Sequence, residues 1–339
     1  MAHTEPHSTY QELLVRLLGA EPTLSSADLA ERTGQDIEVV RGYWRALGFP
    51  DIPDDEPHLT EADAAAFAAL IELVRSREIG MGAAQALVRA HGHSTDRLAL
   101  WQLEALVEDA ADRFDLDDTS ARLVVLDRVA TLVPALELQL VHTWRRQLVA
   151  LLGRLDRDVG KARAGDPHSG ELPLERAVGF LDMVSFTERS AGLSPTELAA
   201  MVLTFEGAAR DTIAAHGARV VKTIGDAVLF VADDLPTGAH VARDLLRVMT
   251  QAGFAVRGSL VWGRVLSRSG DIFGPSVNLA SRLGDVAPAN DIVLDDVSAA
   301  LLAASEPQVR LRPQEPVAVH GLGTIRPVLL AWAENEQSG

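Results

Sequence analysis

The sequence predicts an N-terminal all-α domain followed by a C-terminal α+β domain. The first half carries apolar residues at helical spacing almost throughout, whereas the second half alternates short β-forming runs with helical segments. Between them, the stretch 158–172 is rich in Gly, Pro and charge and has no periodicity, which is typical of a linker. We therefore predict domains at residues 1–157 and 173–339, joined by a linker at 158–172.

Composition limits the class of protein. The 339 residues are 47% hydrophobic and 23% charged, include no cysteine and carry a net charge of −17. So acidic a chain is a poor candidate for nonspecific nucleic-acid binding, which depends on Lys and Arg. No apolar run reaches the roughly 18 residues of a spanning helix, and the first residues lack the pattern of a signal peptide. We expect a cytoplasmic protein without disulfides or a membrane span.

The N-terminal half predicts a succession of helices. We expect helices over residues 8–19, 27–33 and 36–47, with Ser26 capping the second and Gly34 ending it. Helix, short turn and helix together form the helix-turn-helix pattern. Two more helices follow within the stretch that begins at Leu59, and residues 98–157 are helical throughout, with Pro134 as a break or kink.

The last of these helices carries a broad apolar stripe: Leu138, Leu140, Val141, Trp144, Leu148, Leu151 and Leu152. Two interpretations stay open. The stripe is either the buried face of a core helix or the surface of a dimerising or signal-transmitting helix that leads into the second half.

Polar residues interrupt two apolar strands of the C-terminal half. A hairpin is predicted at 218–231 with its turn at Gly225-Asp226, and Lys222, one of two lysines in the chain, needs a partner if its strand is buried. Asp182 lies near the end of another strand, 176–183, where a lone buried carboxylate is costly. Two carboxylates at the ends of neighbouring strands form an oxygen site suited to Mg²⁺ or Mn²⁺.

The remaining C-terminal elements complete an α+β pattern. Ser194 and Glu197 form a capping box for a helix over 194–216, and Pro275 begins a helix on which Asn278 and Arg282 share one face. The other predicted elements are helices at 237–251 and 296–304 and strands at 254–262, 291–294, 308–320 and 325–333. We expect helices on one face of a mostly antiparallel sheet.

Residues 173–333 resemble the catalytic domain of class III nucleotidyl cyclases. The resemblance rests on FLDMVSFT and TIGDAVLF, whose aspartates are 44 residues apart, and on the spacing of the other polar residues around them. It implies a ferredoxin-like fold and two metal ions, Mg²⁺ or Mn²⁺, per site. It also implies these roles: metal binding by Asp182 and Asp226, adenine recognition by Lys222 and Asp271, ribose orientation by Asn278, and transition-state stabilisation by Arg282.

The resemblance implies an adenylate cyclase that converts ATP to 3′,5′-cyclic AMP and pyrophosphate at a homodimer interface. Arg264 corresponds to a phosphate-binding Arg of some members, although a strand-end surface residue is an equal alternative. His320 stands where the family commonly has a triphosphate-binding Lys. Because some bacterial members with a helical N-terminal domain respond to pH, and because the chain has ten histidines, pH control by the N-terminal domain is a hypothesis.

Residues 24–92 resemble the MerR-type winged helix-turn-helix, but the segment that corresponds to the wing, Asp51–Pro57, is strongly acidic. A wing that lies against phosphates should be basic, so we favour packing or regulation over DNA binding. The alternative function is a transcriptional regulator or a nucleotide-sensing pseudo-cyclase that carries this module. A diguanylate cyclase is a weaker alternative, since the sequence has no Gly-Gly-Asp/Glu-Glu-Phe segment.

Overall fold

The structure, a computed structural model, describes residues 9–164, 175–268, 270–319 and 323–332. Its contacts divide the chain into two compact units, Met1–Gly153 and Arg154–Gly339. The first unit is helical, and the second is built on a mixed β-sheet. Among the described residues, no helix combines the length and the apolar character needed to cross a membrane.

Helices account for the described structure up to residue 164. They are α1 (Thr9–Leu18), α2 (Ser26–Thr33), α3 (Ile37–Leu47), α4 (Glu61–Arg75), α5 (Met81–Phe114) and α6 (Asp118–Ala164). Ser25, and not the predicted Ser26, caps α2, because its extended backbone lets its side chain accept a hydrogen bond from the amide of Asp28. Gly34 ends α2 as predicted, in the left-handed conformation.

The predicted linker begins too early, because α6 continues to Ala164 and makes residues 158–164 helical. Gly160 costs a helix only about 1 kcal/mol, and the residues that follow it are good helix formers. Within the C-terminal unit the end of α6 is also fixed by ion pairs, from Asp158 to Arg176 and from Arg157 to Asp233. The rest of the predicted linker, residues 165–172, lies outside the described residues.

A small core joins α2, α3 and α4. Leu29, Val40 and Phe67 are each about 1% exposed and pack together there. The predicted wing, residues 51–57, contains a turn and no strand. Leu59, two residues after this segment, forms one isolated antiparallel bridge with Leu24.

The apolar stripe of α6 is exposed in the single chain. The stripe is therefore not the buried face of a core helix within this chain. Leu138 is 69% exposed and Trp144 54% exposed. α6 is also continuous across Pro134, so the predicted break does not occur there. The interpretation as a dimerising or signal-transmitting helix stays a prediction.

The C-terminal unit is built on a seven-stranded sheet with the order β2-β3-β1-β4-β7-β11-β8. Only β4 and β7 pair in parallel. The sheet strands are β1 (Glu175–Met183), β2 (Arg219–Ile224), β3 (Ala227–Ala232), β4 (Val256–Arg264), β7 (Ile292–Leu294), β8 (Val309–Pro313) and β11 (Val328–Trp332). Two small hairpins are formed by β5 (Leu266–Arg268) with β6 (Asp271–Phe273) and by β9 (Val317–Val319) with β10 (Gly323–Ile325).

Helices cover both faces of the sheet, which corrects the prediction of helices on one face. On one face pack α8 (Pro195–Ala215), α9 (Leu235–Gln251) and α11 (Asp296–Ser305), and on the other packs α10 (Pro275–Val286); a short α7 (Phe186–Ser190) follows β1. The reason lies in β1, where Ala177 faces one side and Val178 the other and both are fully buried. Helices on only one face of the sheet would leave the apolar residues of its other face exposed to water.

The hairpin β2–β3 forms where it was predicted, with one irregularity. Gly225 occupies the turn with φ +61°, a conformation that favours glycine. A β-bulge lies between Val220 and Lys222, so that Val220 pairs with Phe230 but Lys222 pairs with Leu229. Because Phe230 and Leu229 face opposite sides of the sheet, the bulge turns Lys222 onto the side covered by α10. We call this side the α10 face.

Candidate functional site

Two carboxylates lie side by side where β1 meets the β2–β3 turn. Antiparallel pairing puts Asp182 opposite Ala227, the first residue of β3, and the amide of Met183 donates to the carbonyl of Asp226 at 3.0 Å. Phe180, two residues before Asp182, packs on the α10 face, so strand alternation directs Asp182 to that face as well. The structure therefore brings the two predicted metal ligands together.

The environment of Asp182 makes its negative charge costly. Burial raises the pKa of its carboxyl group, and the neighbouring Asp226 carboxylate adds to the rise. Arg257 opposes the rise, since its Nε and Nη2 donate to Asp182 Oδ2 at 3.3 Å and 3.1 Å. A divalent cation would relieve the repulsion between the two carboxylates, so their chemistry fits a metal site.

Arg257 was missed by the sequence analysis. It lies directly opposite Asp182 in the β1–β4 register, and its Nη1 donates to the carbonyl of Asp285 in α10 at 3.0 Å. The signal was available, because Arg257 is a cation among apolar residues of a strand, as Lys222 is. What the sequence lacked was the pairing of β1 with β4, which brings together residues 75 positions apart.

Few protein side chains at this site could coordinate a metal ion. No group of three or more His, Cys, Asp or Glu side chains that could hold a metal ion occurs within the described ranges. The two aspartates therefore supply a minimal carboxylate set, and the other oxygen ligands of a hard cation would have to come from backbone carbonyls, water or a phosphate-bearing substrate.

Lys222 has the partner that its sequence context demanded. Its Nζ donates to Asp271 Oδ2 at 2.6 Å, and Asp271 Oδ1 accepts from the amide of Ile272 at 2.8 Å. Burial alone would raise the pKa of Asp271, but these bonds outweigh it and hold the pKa below its ordinary value. The side chain of Lys222 is 42% exposed and that of Asp271 28%, so both remain accessible to a ligand. The structure thus joins the two residues predicted to recognise adenine.

Asn278 and Arg282 project from one side of α10, one turn apart, and both are exposed. The guanidinium of Arg282 lies 3.5 Å from the carboxylate of Asp285. No hydrogen bond or ion pair of the described residues joins Asn278 or Arg282 to the two aspartates, Asp182 and Asp226, or to the Lys222–Asp271 pair. Within one chain, the candidate site is therefore made of separate parts.

The position of α10 is set by close packing on β4. Ser259 Oγ donates to the carbonyl of Ala280 at 2.5 Å, and this contact is buried. A Cβ at Gly263 would lie 2.1 Å from Ser276 Oγ, so only glycine allows this approach. The helix that carries Asn278 and Arg282 is thereby fixed against the sheet.

Two further residues, Arg264 and His320, were predicted to bind phosphate. Arg264, the last residue of β4, is exposed, and strand alternation puts it on the side of Trp262, which packs in the core opposite α10. His320 lies outside the described residues. Among the residues that the structure describes, no hydrogen bond or ion pair joins Arg264 to the pairs on the α10 face.

The chain has close relatives among adenylate cyclases. It is 37% identical to the adenylate cyclase of Glutamicibacter nicotianae, over 98% of this chain and 85% of the relative. It is 34% identical to that of Streptomyces coelicolor, over 93% of this chain and 87% of the relative. It is 31% identical to the pH-sensitive adenylate cyclase MT1302 of Mycobacterium tuberculosis, over 86% and 73% respectively. No protein-family model matches the chain.

Among solved structures, the chain is similar to the catalytic core of a rhodopsin-guanylyl cyclase with converted specificity in complex with ATPαS. The TM-score is 0.43 at 22% identity, and the match covers 47% of this chain and 96% of that one.

Proposed function

The chain belongs to the adenylate cyclase family and is an enzyme of that family, and from this premise we propose that it converts ATP to 3′,5′-cyclic AMP and pyrophosphate. The observation that carries the proposal is the presence of two distinct polar pairs on the α10 face. Asp182 and Asp226 form an acidic pair suited to cations, and Lys222 and Asp271 form a donor–acceptor pair suited to a purine edge.

The acidic pair would hold Mg²⁺ or Mn²⁺, two ions per site. When bound, the ions supply neutralisation of the triphosphate and lower the pKa of the ribose 3′-hydroxyl. The protein's own part is to present two carboxylates at the end of a rigid sheet, with Arg257 orienting Asp182 from the neighbouring strand. A rigid pair of this kind requires little reorganisation during the reaction.

The base-binding pair supports adenine over guanine. The Lys222 ammonium can donate to adenine N1, and the Asp271 carboxylate can accept from the exocyclic N6 amine. Guanine carries an N–H and a carbonyl at these positions, so donor would meet donor and acceptor would meet acceptor. The lowered pKa of Asp271 keeps its carboxylate ionised, as the acceptor role requires.

The residues on α10 complete the proposed reaction. Asn278 would orient the ribose, and Arg282 would stabilise the charge that develops on the α-phosphate during attack by the 3′-oxygen. Arg264 and His320 remain predicted phosphate ligands, and the strand alternation at Arg264 gives its role no support.

We propose that the complete site forms between two copies of the chain, since Lys222, Asn278 and Arg282 are exposed and no polar contact of the described residues joins them to the acidic pair. Mixing inactive Asp226→Ala chains with inactive Arg282→Ala chains should then restore activity, because one of the two sites in a mixed dimer is intact. Each variant mixed with itself is the control. A mixture as inactive as its components would contradict a shared site.

The fold details fit the same proposal. The order β2-β3-β1-β4 and the succession β1, α8, β2, β3, α9, β4 support a ferredoxin-like core extended by β7, β11 and β8. The β5–β6 hairpin between Arg264 and α10 supports a short dimerisation arm, and its Leu266 and Phe273 are 60% and 50% exposed.

The direct test is the production of cyclic AMP by the full chain. Purified protein is incubated with ATP or GTP, and with Mg²⁺ or Mn²⁺, and the products are separated. Cyclic AMP and pyrophosphate in equal amounts, with little cyclic GMP, are expected. Nucleotide binding without any cyclic product would favour the alternative, a nucleotide-sensing pseudo-cyclase.

The helix-turn-helix segment gives little support to a transcriptional regulator. On α3, the predicted DNA-reading helix, Arg41 bonds to Glu38 and Asp54, and Arg45 lies 3.2 Å from Asp51. These arginines are occupied by acids of the same unit and are poorly available for phosphates. We expect no salt-dependent binding to mixed-sequence DNA, and we propose that the N-terminal unit regulates the enzyme.

Regulation by pH remains part of the proposal, supported by the pH-sensitive relative and by the histidines of the chain. Equal activity of the full-length protein at pH 5.5 and pH 8 would end this part of the proposal without affecting the rest.

A further inference from the structure

The half-buried Arg219, at the start of β2, lies beside the Lys222–Asp271 pair. In the β2–β3 register Arg219 is opposite Val231, and Lys222 is opposite Leu229. Val231 and Leu229 both pack in the apolar cluster on the α10 face, and residues paired across two strands share one side of a sheet. Arg219 and Lys222 therefore lie on the α10 face, with only the β-bulge between them.

Arg219 differs from the arginines around it because it makes no hydrogen bond or ion pair with another residue in the part of the chain that the structure describes. Its guanidinium group carries five N–H donors. Arg154, by contrast, donates from Nη2 to the carbonyl of Gly217 at 3.1 Å, and Arg176 pairs with Asp158. The donors of Arg219 are thus not used to hold the described fold together.

The positive charge of Arg219 is unfavourable for folding. Burial lowers the pKa of Arg219, and the charges of Arg154 and Arg176 lower it further, whereas Asp271 opposes the change. A neutral side chain of similar length would avoid both the burial of a charge and the repulsion, so packing does not explain an arginine here. A charge that is kept at a cost beside a binding pair indicates a functional role.

Asp271 is the residue on which Arg219 acts. Burial alone would raise the pKa of Asp271, but the bonds from Lys222 and from the amide of Ile272 lower it, and the charge of Arg219 adds to their effect. When Lys222 turns to adenine N1, Asp271 loses this ion pair but must stay ionised to accept from N6. Arg268, opposite Asp271 in the β5–β6 hairpin, is exposed, and no ion pair of the described residues joins the two.

We propose that Arg219 is a positioning residue of the base-binding pair, which keeps Asp271 an oriented carboxylate while Lys222 binds adenine and thereby maintains the preference for ATP over GTP. The inference rests on the proposed recognition of adenine by Lys222 and Asp271. Arg219 acts through Asp271 and does not itself need to contact the nucleotide.

The test measures nucleotide binding and does not depend on catalysis. Full-length protein with Mn²⁺ is titrated with 2′,3′-dideoxy-ATP and 2′,3′-dideoxy-GTP, which lack the 3′-hydroxyl and cannot cyclise. The ratio of the two dissociation constants gives the preference for adenine. Arg219→Met should lower this preference about three- to tenfold, whereas Arg219→Lys, which keeps the charge, should retain most of it. Arg210→Met, which removes an exposed cation of α8, is the control.

A double-mutant cycle separates this role from a structural one. In an Asp271→Asn background, Arg219→Met should change the preference by less than about twofold, because the charge on which Arg219 acts is gone. The melting temperature of Arg219→Met should equal or exceed that of the wild type, since the repulsion from Arg154 and Arg176 is removed. Arg219→Gln is the second neutral variant and should give the same results.

The pH dependence of the preference gives an independent measurement. The preference should disappear as the pH falls and Asp271 becomes protonated. Without Arg219 the pKa of Asp271 is lowered less, so the loss should begin at a higher pH in Arg219→Met than in the wild type. Both nucleotides carry the same triphosphate, so titration of Asp182 and Asp226 affects them alike and cancels in the ratio.

Two outcomes would overturn this inference alone. One is that the wild type prefers the adenine nucleotide and both neutral variants keep that preference at every pH. The other is that Arg219→Met lowers the preference equally in the Asp271→Asn background, which would show that Arg219 does not act through Asp271. A wild type without any preference for the adenine nucleotide would overturn the proposed base recognition, and this inference with it.

Discussion

The two polar pairs of the candidate site differ in how their charges are balanced. Lys222 and Asp271 carry opposite charges 2.6 Å apart, and the contact lowers the pKa of Asp271. Asp182 and Asp226 carry like charges, and burial together with that repulsion raises the pKa of Asp182. The charges of the first pair neutralise each other within the chain. The negative charges of the second pair are balanced only in part, by Arg257.

This difference separates two tasks. A pair that is already complementary can exchange its internal hydrogen bond for equivalent bonds to a purine, which suits recognition. An acidic pair with incomplete compensation binds cations more strongly, which suits the handling of a triphosphate. Four substitutions test whether the two pairs divide the work in this way, and they are ordered from the largest expected effect to the smallest.

The largest effect is expected from Asp226→Ala. Loss of one carboxylate should lower kcat/KM for ATP by a factor of about 1,000, because the charge of the triphosphate would no longer be neutralised in the transition state. Initial rates of cyclic AMP formation measure this. Asp211→Ala, which removes an exposed carboxylate of α8, is the control. A loss below tenfold would show that the acidic pair does not carry the chemistry.

A smaller and more specific effect is expected from Lys222→Met. Loss of a charged hydrogen bond should lower kcat/KM for ATP by about 10- to 100-fold and reduce the preference for ATP over GTP. The measurement is kcat/KM for both nucleotides, with Arg210→Met as the control for the loss of a surface cation. An unchanged ratio of the two nucleotides would contradict base recognition by Lys222.

A gain in metal affinity, instead of a loss of function, is expected from Arg257→Gln. Removal of the cation beside Asp182 should tighten Mn²⁺ binding about three- to tenfold, since a nearby positive charge repels the metal. The rate at saturating metal should fall, because Asp182 loses its orienting hydrogen bonds. Titration of free Mn²⁺ by electron paramagnetic resonance gives the affinity. Weaker Mn²⁺ binding would show that Arg257 acts mainly by orientation.

The smallest effect concerns stability. Because the folded-state pKa of Asp271 is lowered, its contact with Lys222 stabilises the fold above the ordinary Asp pKa of about 3.9 and is lost as the pH falls through the lowered value. Asp271→Asn should therefore lower Tm by about 1–3 °C near pH 7 and by less as the pH falls below about 4. Melting curves from pH 3 to 8 measure the difference. A difference that does not change with pH would contradict an ionic origin.

Much of the fold was predictable because its signals are local. The capping box of Ser194 and Glu197 begins α8 as expected, and Gly225 occupies the hairpin turn. Asp182 and Lys222 were found because a charge in an apolar strand is costly without a partner, and Asp226 because it follows Gly225 in the predicted turn. These inferences need only the neighbouring residues of the chain.

What was missed depends on pairing between distant segments. Simple alternation would put Lys222 on the same side as Val220, and only the bulge turns it toward Asp271. The role of Arg257 requires the register of β1 against β4. The apolar stripe of α6 was recognised, but the spacing of apolar residues cannot tell whether the stripe packs within the chain or against another surface. Helices were predicted on one face of the sheet only, because the sequence did not give the order of the strands.

The tight contact between α10 and β4 has a consequence for how this enzyme can change over evolutionary time. A side chain larger than Ser276 on the inner side of α10 would meet Gly263 of β4, and there is little room for it unless the helix moves. Substitutions on its outer side, around Asn278 and Arg282, meet solvent and leave the helix in place. Packing against the sheet therefore restricts change on one side of α10, whereas the exposed side, which carries the candidate site residues, can change one residue at a time.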